Sequence, residues 1–196
     1  MIITIGREYG SGGHYIAEEL AKRLNLPVYD RQIIEEVVKR SNFAPEFVKS
    51  NEEKVNSFFD SFFGGQLSVT DNLFIAETNA IKELAEKGDA IFVGRCADYI
   101  LKERTDLIKI FIQASTESKV ERITKYYGIE PSKALDKITK TNKARARYHN
   151  YFTDTKWGRS YDYDLLVSSD IGVSETVDVL ELFIKHKKAQ LEKKNG

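Results

Sequence analysis

The sequence predicts an α/β fold, a three-layer arrangement in which a parallel sheet carries helices on both faces. Three observations predict it. Short β-branched runs alternate with helical repeats along the chain, the pattern of strand–helix–strand crossovers. The strand runs are apolar at almost every position, as in strands buried on both faces. A glycine-rich turn joins the first strand to the first helix, at the sheet edge where right-handed crossovers gather the strand ends and therefore a binding site.

Residues 2–5 are the first strand, and the glycine turn follows at 6–13. Ile16, Leu20 and Leu24 recur every four residues and give the next helix one apolar face. Leu26 to Tyr29 reads as a second short strand ending at Asp30. Helical patterns run from about 31 to 56, broken near Asn42 and Pro45. The segment 58–65 holds four phenylalanines and reads first as local core, with a mobile flap or a partner surface as alternatives. A helix over 70–87 carries Ala76, Ala80, Ile81 and Leu84 and stops at Gly88. Strands follow at 90–94, 107–113 and 165–167. Between the last two lies a long basic helical segment with Pro131 in a first-turn position. A final helix over 174–193 places Val177, Leu180 and Ile184 on one face.

The 196 residues form one domain, with 41% apolar and 31% charged residues, which sets the chain apart from disordered sequences. Basic and acidic residues balance at 30 each, so bulk charge draws the chain to neither nucleic acid nor membrane, and any anion site must be local. Cys96 is the only cysteine, so no intrachain disulfide forms. The start shows no signal-peptide pattern, and no apolar run approaches a membrane span, so a cytoplasmic protein is expected. No internal repeat is present.

The turn Gly6-Arg7-Glu8-Tyr9-Gly10-Ser11-Gly12-Gly13-His14 has the context of a phosphate loop. Glycines let backbone amides close round an oxyanion, and the following helix offers unsatisfied N–H groups and a positive dipole end. A plain connecting turn is the simpler reading, and glycine density between strand and helix weighs against it. The common pattern G-x-x-x-x-G-K-[ST] is not met. Gly13 stands where the lysine belongs, and His14 and Tyr15 follow in place of the hydroxyl residue. Arg7 is the cation available to replace that lysine. A dinucleotide site is the other reading, since Asp30 lies 20 residues past Gly10, but it needs a glycine at Tyr15.

Gly94 and Arg95 end the third strand, with Asp98 close behind. They suit a bound phosphate, or else a surface arginine paired to Asp98. Residues 137–159 hold Lys137, Lys140, Lys143, Arg145, Arg147, Lys156 and Arg159 against Asp154 alone, with Tyr148, Tyr151, Phe152 and Trp157 interleaved. This patch fits a polyphosphate clamp, an RNA-stacking platform or a solvated basic helix. The neutral overall balance argues against nucleic acid. His14, His149 and His186 have no metal-ligand spacing.

Taken together, Ile5 to Gly13, Tyr29-Asp30, Val93 to Asp98, Lys143-Ala144-Arg145, Lys156-Trp157-Gly158 and Tyr163-Asp164-Leu165 resemble the cytidylate kinase-like family over nearly the whole chain. The resemblance implies a P-loop kinase fold of about five parallel strands, a nucleoside-monophosphate-binding helical region at about 31–75, and a helical lid at about 116–159. It implies that Gly6 and Gly10, Ser11, Gly12, Gly13, His14 and Tyr15 form the donor-phosphate loop. Asp30 and Arg95 then face the acceptor, with Asp98 beside them. Arg145, with Arg147 as its neighbour, serves the transferred phosphoryl group alongside Arg7. Asn142 stands where the lid usually has aspartate, and its carbonyl oxygen is expected to meet a guanidinium.

The expected activity is phosphoryl transfer from ATP, with Mg, to a nucleotide or another small acceptor. The alternative is a nucleotide-binding protein that signals by lid closure without catalysis. A homodimer is compatible with the sequence, and the acceptor and the magnesium ligand are not legible in it.

Overall fold

Residue chemistry and chain order build a five-stranded, all-parallel sheet in the order β2-β3-β1-β4-β5. A computed structural model describes residues 1–40 and 67–195. The expected breaks near Asn42 and Pro45, the phenylalanine-rich segment 58–65 and most of the helical region 31–75 lie outside the described residues.

Strand β1 (Ile2–Arg7) sits at the centre, paired to β3 (Ala90–Val93) and to β4 (Leu107–Gln113). Its pleat sends Ile3 and Ile5 to one face and Ile2 to the other. On the first face Ile3 and Ile5 pack beneath α1 (Gly13–Leu24) and α7 (Val173–Asn195), whose Ile16, Leu20, Val177 and Leu180 are fully buried. Each such side chain contributes about 1.5–3 kcal/mol relative to exposure. On the second face Ile2 and Phe92 meet Ile34 of α2 (Arg31–Arg40) and Ile81 of α3 (Leu67–Glu86).

Strand β2 is shorter than expected, Val28–Tyr29 rather than 26–29. Proline has no N–H for the ladder, yet the Pro27 carbonyl still accepts from the Ile91 amide at 2.9 Å. A short helix, α4 (Ala97–Ile100), follows β3. The basic segment divides into α5 (Thr116–Tyr127) and α6 (Pro131–Phe152). Gly128 closes α5 in the left-handed region at φ 65°, and Pro131 opens α6 in its first turn. Strand β5 (Leu165–Ser168) completes the sheet and runs through a single 3-10 turn, Ser169–Ile171, into α7. The carboxyl ends of the strands therefore present Arg7, Asp30, Gly94 and Ser169 along one edge. Among the described residues no helix is long and apolar enough to cross a membrane.

Candidate functional site

The glycine turn after β1 is fixed from below by side chains and backbone of its neighbours. Ser11 is fully buried, its hydroxyl donates to the Glu8 carbonyl at 2.9 Å, and its own carbonyl accepts from Ser169 Oγ at 2.6 Å. Gly10 has φ 82°, and a Cβ there would come within 3.0 Å of the Lys119 carbonyl and 3.1 Å of Ile123, so α5 can lie this close only to glycine. Among the loop amides, Glu8 donates to Ile112, Tyr9 to Asn142 and Ser11 to Glu8. Those of Gly10, Gly12, Gly13, His14 and Tyr15 have no acceptor among the described residues. They surround the N-terminus of α1, where free amides and the helix dipole favour an anion.

Arg7 runs from β1 past Gly13 to Gly94. A Cβ at Gly13 would lie 2.6 Å from Arg7 Cβ and 2.8 Å from its Cγ, so the arginine stem fills the space a lysine at position 13 would need. Further out, a Cβ at Gly94 would lie 2.1 Å from Arg7 Nη1. The guanidinium thus rests on the tip of β3 and makes no hydrogen bond or ion pair with any described residue. Burial, then repulsion from Arg145 and Arg95, pushes Arg7 down to about 9, with Asp30 opposing. Arg145 donates to the Arg7 carbonyl at 2.9 Å and lies 5.7 Å from the centre of the Tyr9 ring. Burial pushes it to about 10, against Tyr9 and Tyr127. Two cations held together without a carboxylate between them are stabilised by an anion delivered from solvent.

The other strand tip is electrically closed. Arg95, left-handed at φ 55°, places Nη2 at 2.5 Å from Glu35 Oε1 and 3.4 Å from Glu77 Oε1. Arg31 Nε reaches the same Glu35 oxygen at 2.6 Å. Against burial, Glu77, Tyr148 and Glu35 hold the Arg95 guanidinium above its ordinary value. Glu77 is fully buried and accepts from the Tyr148 hydroxyl at 2.6 Å; burial raises its carboxyl, with Arg95 opposing. Asp98 does not pair with Arg95. Burial raises its carboxyl, and the nearby imidazole of buried His149 offsets part of that shift. Asp30 caps α2, its Oδ1 accepting from the Ile33 amide at 3.0 Å, while Oδ2 lies 3.9 Å from exposed His14.

Helix α6 is held at three levels. Ile138 and Ala134 pack on Ile123 of α5. Asn142 Oδ1 accepts from the Tyr9 amide at 2.7 Å, so the oxygen expected to meet a guanidinium instead fixes the loop backbone. At its end, Phe152 stacks on Phe74 of α3 at 4.1 Å. Of the basic run, Arg145 alone reaches the loop; Lys137, Lys140, Lys143 and Arg147 are exposed, and Arg159 pairs with Asp162 at 2.6 Å. Arg147 lies two residues beyond Arg145, roughly 200° round the helix. Tyr148, Phe152 and Trp157 are spent on Glu77, Phe74 and Phe111, which leaves little of an aromatic stacking platform. Gly6 lies within β1, where a Cβ would meet the Phe111 ring at 2.7 Å, so its smallness serves packing.

Sequence reasoning brought Arg7, Arg145 and the loop amides together. It missed Glu35, Glu77 and Arg31. Glu77 had a signal, because it shares a helical face with the apolar Ala80, Ile81 and Leu84.

The residues at the loop do not form a protein-held metal set. His14 and Tyr15 stand in place of the usual hydroxyl residue, Ser11 is buried and committed, and among the described residues no group of three His, Cys, Asp or Glu is placed to hold an ion.

Comparison with known proteins agrees with the architecture. The model of the cytidylate kinase-like family matches residues 2–171. A cytidylate kinase of Methanopyrus kandleri is 26% identical over 196 residues, covering 94% of this chain and 93% of that protein. An uncharacterized protein from Eubacterium ventriosum has a crystal structure that matches with TM-score 0.76 at 30% identity, over 94% of this chain and 98% of that one. A gluconokinase from Sinorhizobium meliloti matches at TM-score 0.61 and 14% identity, over 99% and 97% of the two chains. A shikimate kinase from Bacteroides thetaiotaomicron matches at 0.57 and 14%, over 94% and 98%. The fold is that of the P-loop kinases.

Proposed function

Because this chain belongs to the cytidylate kinase-like family, we propose that it transfers a phosphoryl group from ATP to a nucleotide or another small acceptor. The observation that supports this most is Arg7, a cation that makes no hydrogen bond or ion pair with any described residue, its stem packed on Gly13 at the start of α1 and its guanidinium over Gly94, with Arg145 bonded to its carbonyl. Phosphoryl transfer depends on positioning and on neutralising charge at the equatorial oxygens. The amides at 12–15 and Arg7 hold the donor phosphates. Arg145, fixed by its bond to the Arg7 carbonyl, serves the group in transit. The lid is the helix pair α5–α6, closed on the loop through Asn142 and Arg145. Cytidine monophosphate is the first acceptor to try, since a relative carries the name cytidylate kinase.

A second reading, nucleotide binding without catalysis, draws on the acceptor side. The charge of Arg95 is already met by Glu35 and Glu77, which leaves little to attract an acceptor phosphate. ATP consumption against a panel of nucleoside monophosphates and small alcohols separates the two. The kinase reading expects one acceptor to stimulate turnover, and Arg145→Ala to lower kcat at least about tenfold while nucleotide affinity changes less. If no acceptor stimulates it and Arg145→Ala matches wild type, the binding protein replaces the kinase.

A further inference from the structure

The geometry points to a phosphate site that meets polyphosphate charge with arginine in place of a protein-held divalent ion, so that ATP binds in its metal-free form as well as in its magnesium form. This rests on the reading that the glycine loop holds nucleotide phosphates.

The first support is what the carboxylates near the loop already do. Glu8 is taken by Lys119 at 2.8 Å and by the Ala114 amide at 3.3 Å. Asp30 spends one oxygen on capping α2. Glu35 is shared by Arg31 and Arg95, and Glu77 by Tyr148 and Arg95. A hard cation takes oxygen ligands, and each of these four carboxylates already has at least one oxygen engaged with a donor.

The second support is the loop itself. A phosphate loop ordinarily offers its metal a small hydroxyl at the start of the helix. Here His14 and Tyr15, both about half exposed, follow Gly13 instead, and the nearby hydroxyls of Ser11 and Ser169 donate to the Glu8 and Ser11 carbonyls beneath the loop. The third is positive charge already in place. Arg7 and Arg145 converge on the side where a metal ion and a lysine would otherwise neutralise the phosphates, and the Arg7 stem excludes that lysine by occupying the space at Gly13. A divalent ion beside these two guanidinium groups is repelled by both, whereas phosphate oxygens can accept from both.

The test is calorimetric binding of ATP, and separately of inorganic tripolyphosphate, to the full chain with EDTA or with excess magnesium. The expected result is a Kd with EDTA within about threefold of that with magnesium, or tighter. Arg7→Ala, and Arg7→Gln in case the shorter side chain unsettles the loop, are expected to lose more than about tenfold in the EDTA arm. Binding at least about tenfold tighter with magnesium overturns this inference and leaves the nucleotide reading standing. Arg7 variants that bind like wild type in EDTA also overturn it. Failure to bind in both arms overturns the nucleotide reading, and this inference with it.

Discussion

Replacing Gly94 by alanine tests the placement of Arg7 without touching it. A Cβ at position 94 would sit 2.1 Å from Arg7 Nη1. Ordinary contact requires the guanidinium to retreat by more than about 1 Å. The neighbouring atom is the far end of a flexible side chain, so the fold absorbs the collision. The remaining cost to folding is that of holding alanine at φ 78°, roughly 1–2 kcal/mol. In a chain of this length that lowers Tm by on the order of 2–8 °C. Binding pays more heavily. Losing one charge-assisted hydrogen bond from Arg7 to phosphate removes about 1.5–3 kcal/mol, or about tenfold to a hundredfold in Kd. Calorimetry with ATP on wild type, Gly94→Ala, Arg7→Ala and the double variant reads the coupling. The expected result is a large effect of Gly94→Ala when Arg7 is present and a small one when it is absent. A Gly94→Ala protein that binds ATP within about twofold of wild type, while Arg7→Ala does not, refutes the claim that Arg7 acts from above Gly94.

The buried polar link on the acceptor side is measurable by urea unfolding: Tyr148→Phe leaves Glu77 Oε2 without its 2.6 Å donor and should cost about 1–3 kcal/mol. Asp170 ties Ser115 and Ser168 to the turn after β5, and hydroxyl bonds from Ser118 and Ser168 pull its carboxyl down to about 2. A carboxyl lowered on folding stabilises the fold above its unfolded value of about 3.9 and loses that contribution as pH falls through about 2. The stability gap between wild type and Asp170→Asn should therefore be full at neutral pH and close between about pH 4 and pH 2 in thermal unfolding. A gap that does not change with pH contradicts the assignment.

The sheet and the loop were legible because their signals are local. The runs read as strands at 2–5, 90–94 and 107–113 became β1, β3 and β4, and the spacing of Ile16 and Leu20 became the buried face of α1. The division of the basic segment was partly visible in Pro131, which opens α6, while the stop at Gly128 was not read. What the sequence hid was pairing across distance. Arg95 reads as a phosphate ligand or a partner of Asp98 at a strand tip, and only the fold brings Glu35 and Glu77 to it, 60 residues away in the first case. Asp30 reads as a ligand-facing acid, yet its first partner is the amide three residues on, a capping bond that any aspartate before a helix can make. The role of Asn142 was hidden for the same reason, since its partner Tyr9 lies 133 residues earlier.

The collision between Gly13 and the Arg7 stem has a historical consequence. A descendant of this loop cannot acquire a lysine at position 13 in one step, because the Cβ alone would come within 2.6 Å of the arginine. Removing the arginine first leaves an intermediate whose loop contains no lysine or arginine. On the proposed function that intermediate holds phosphate less well, so exchanging one cation for the other takes paired changes at Arg7 and Gly13.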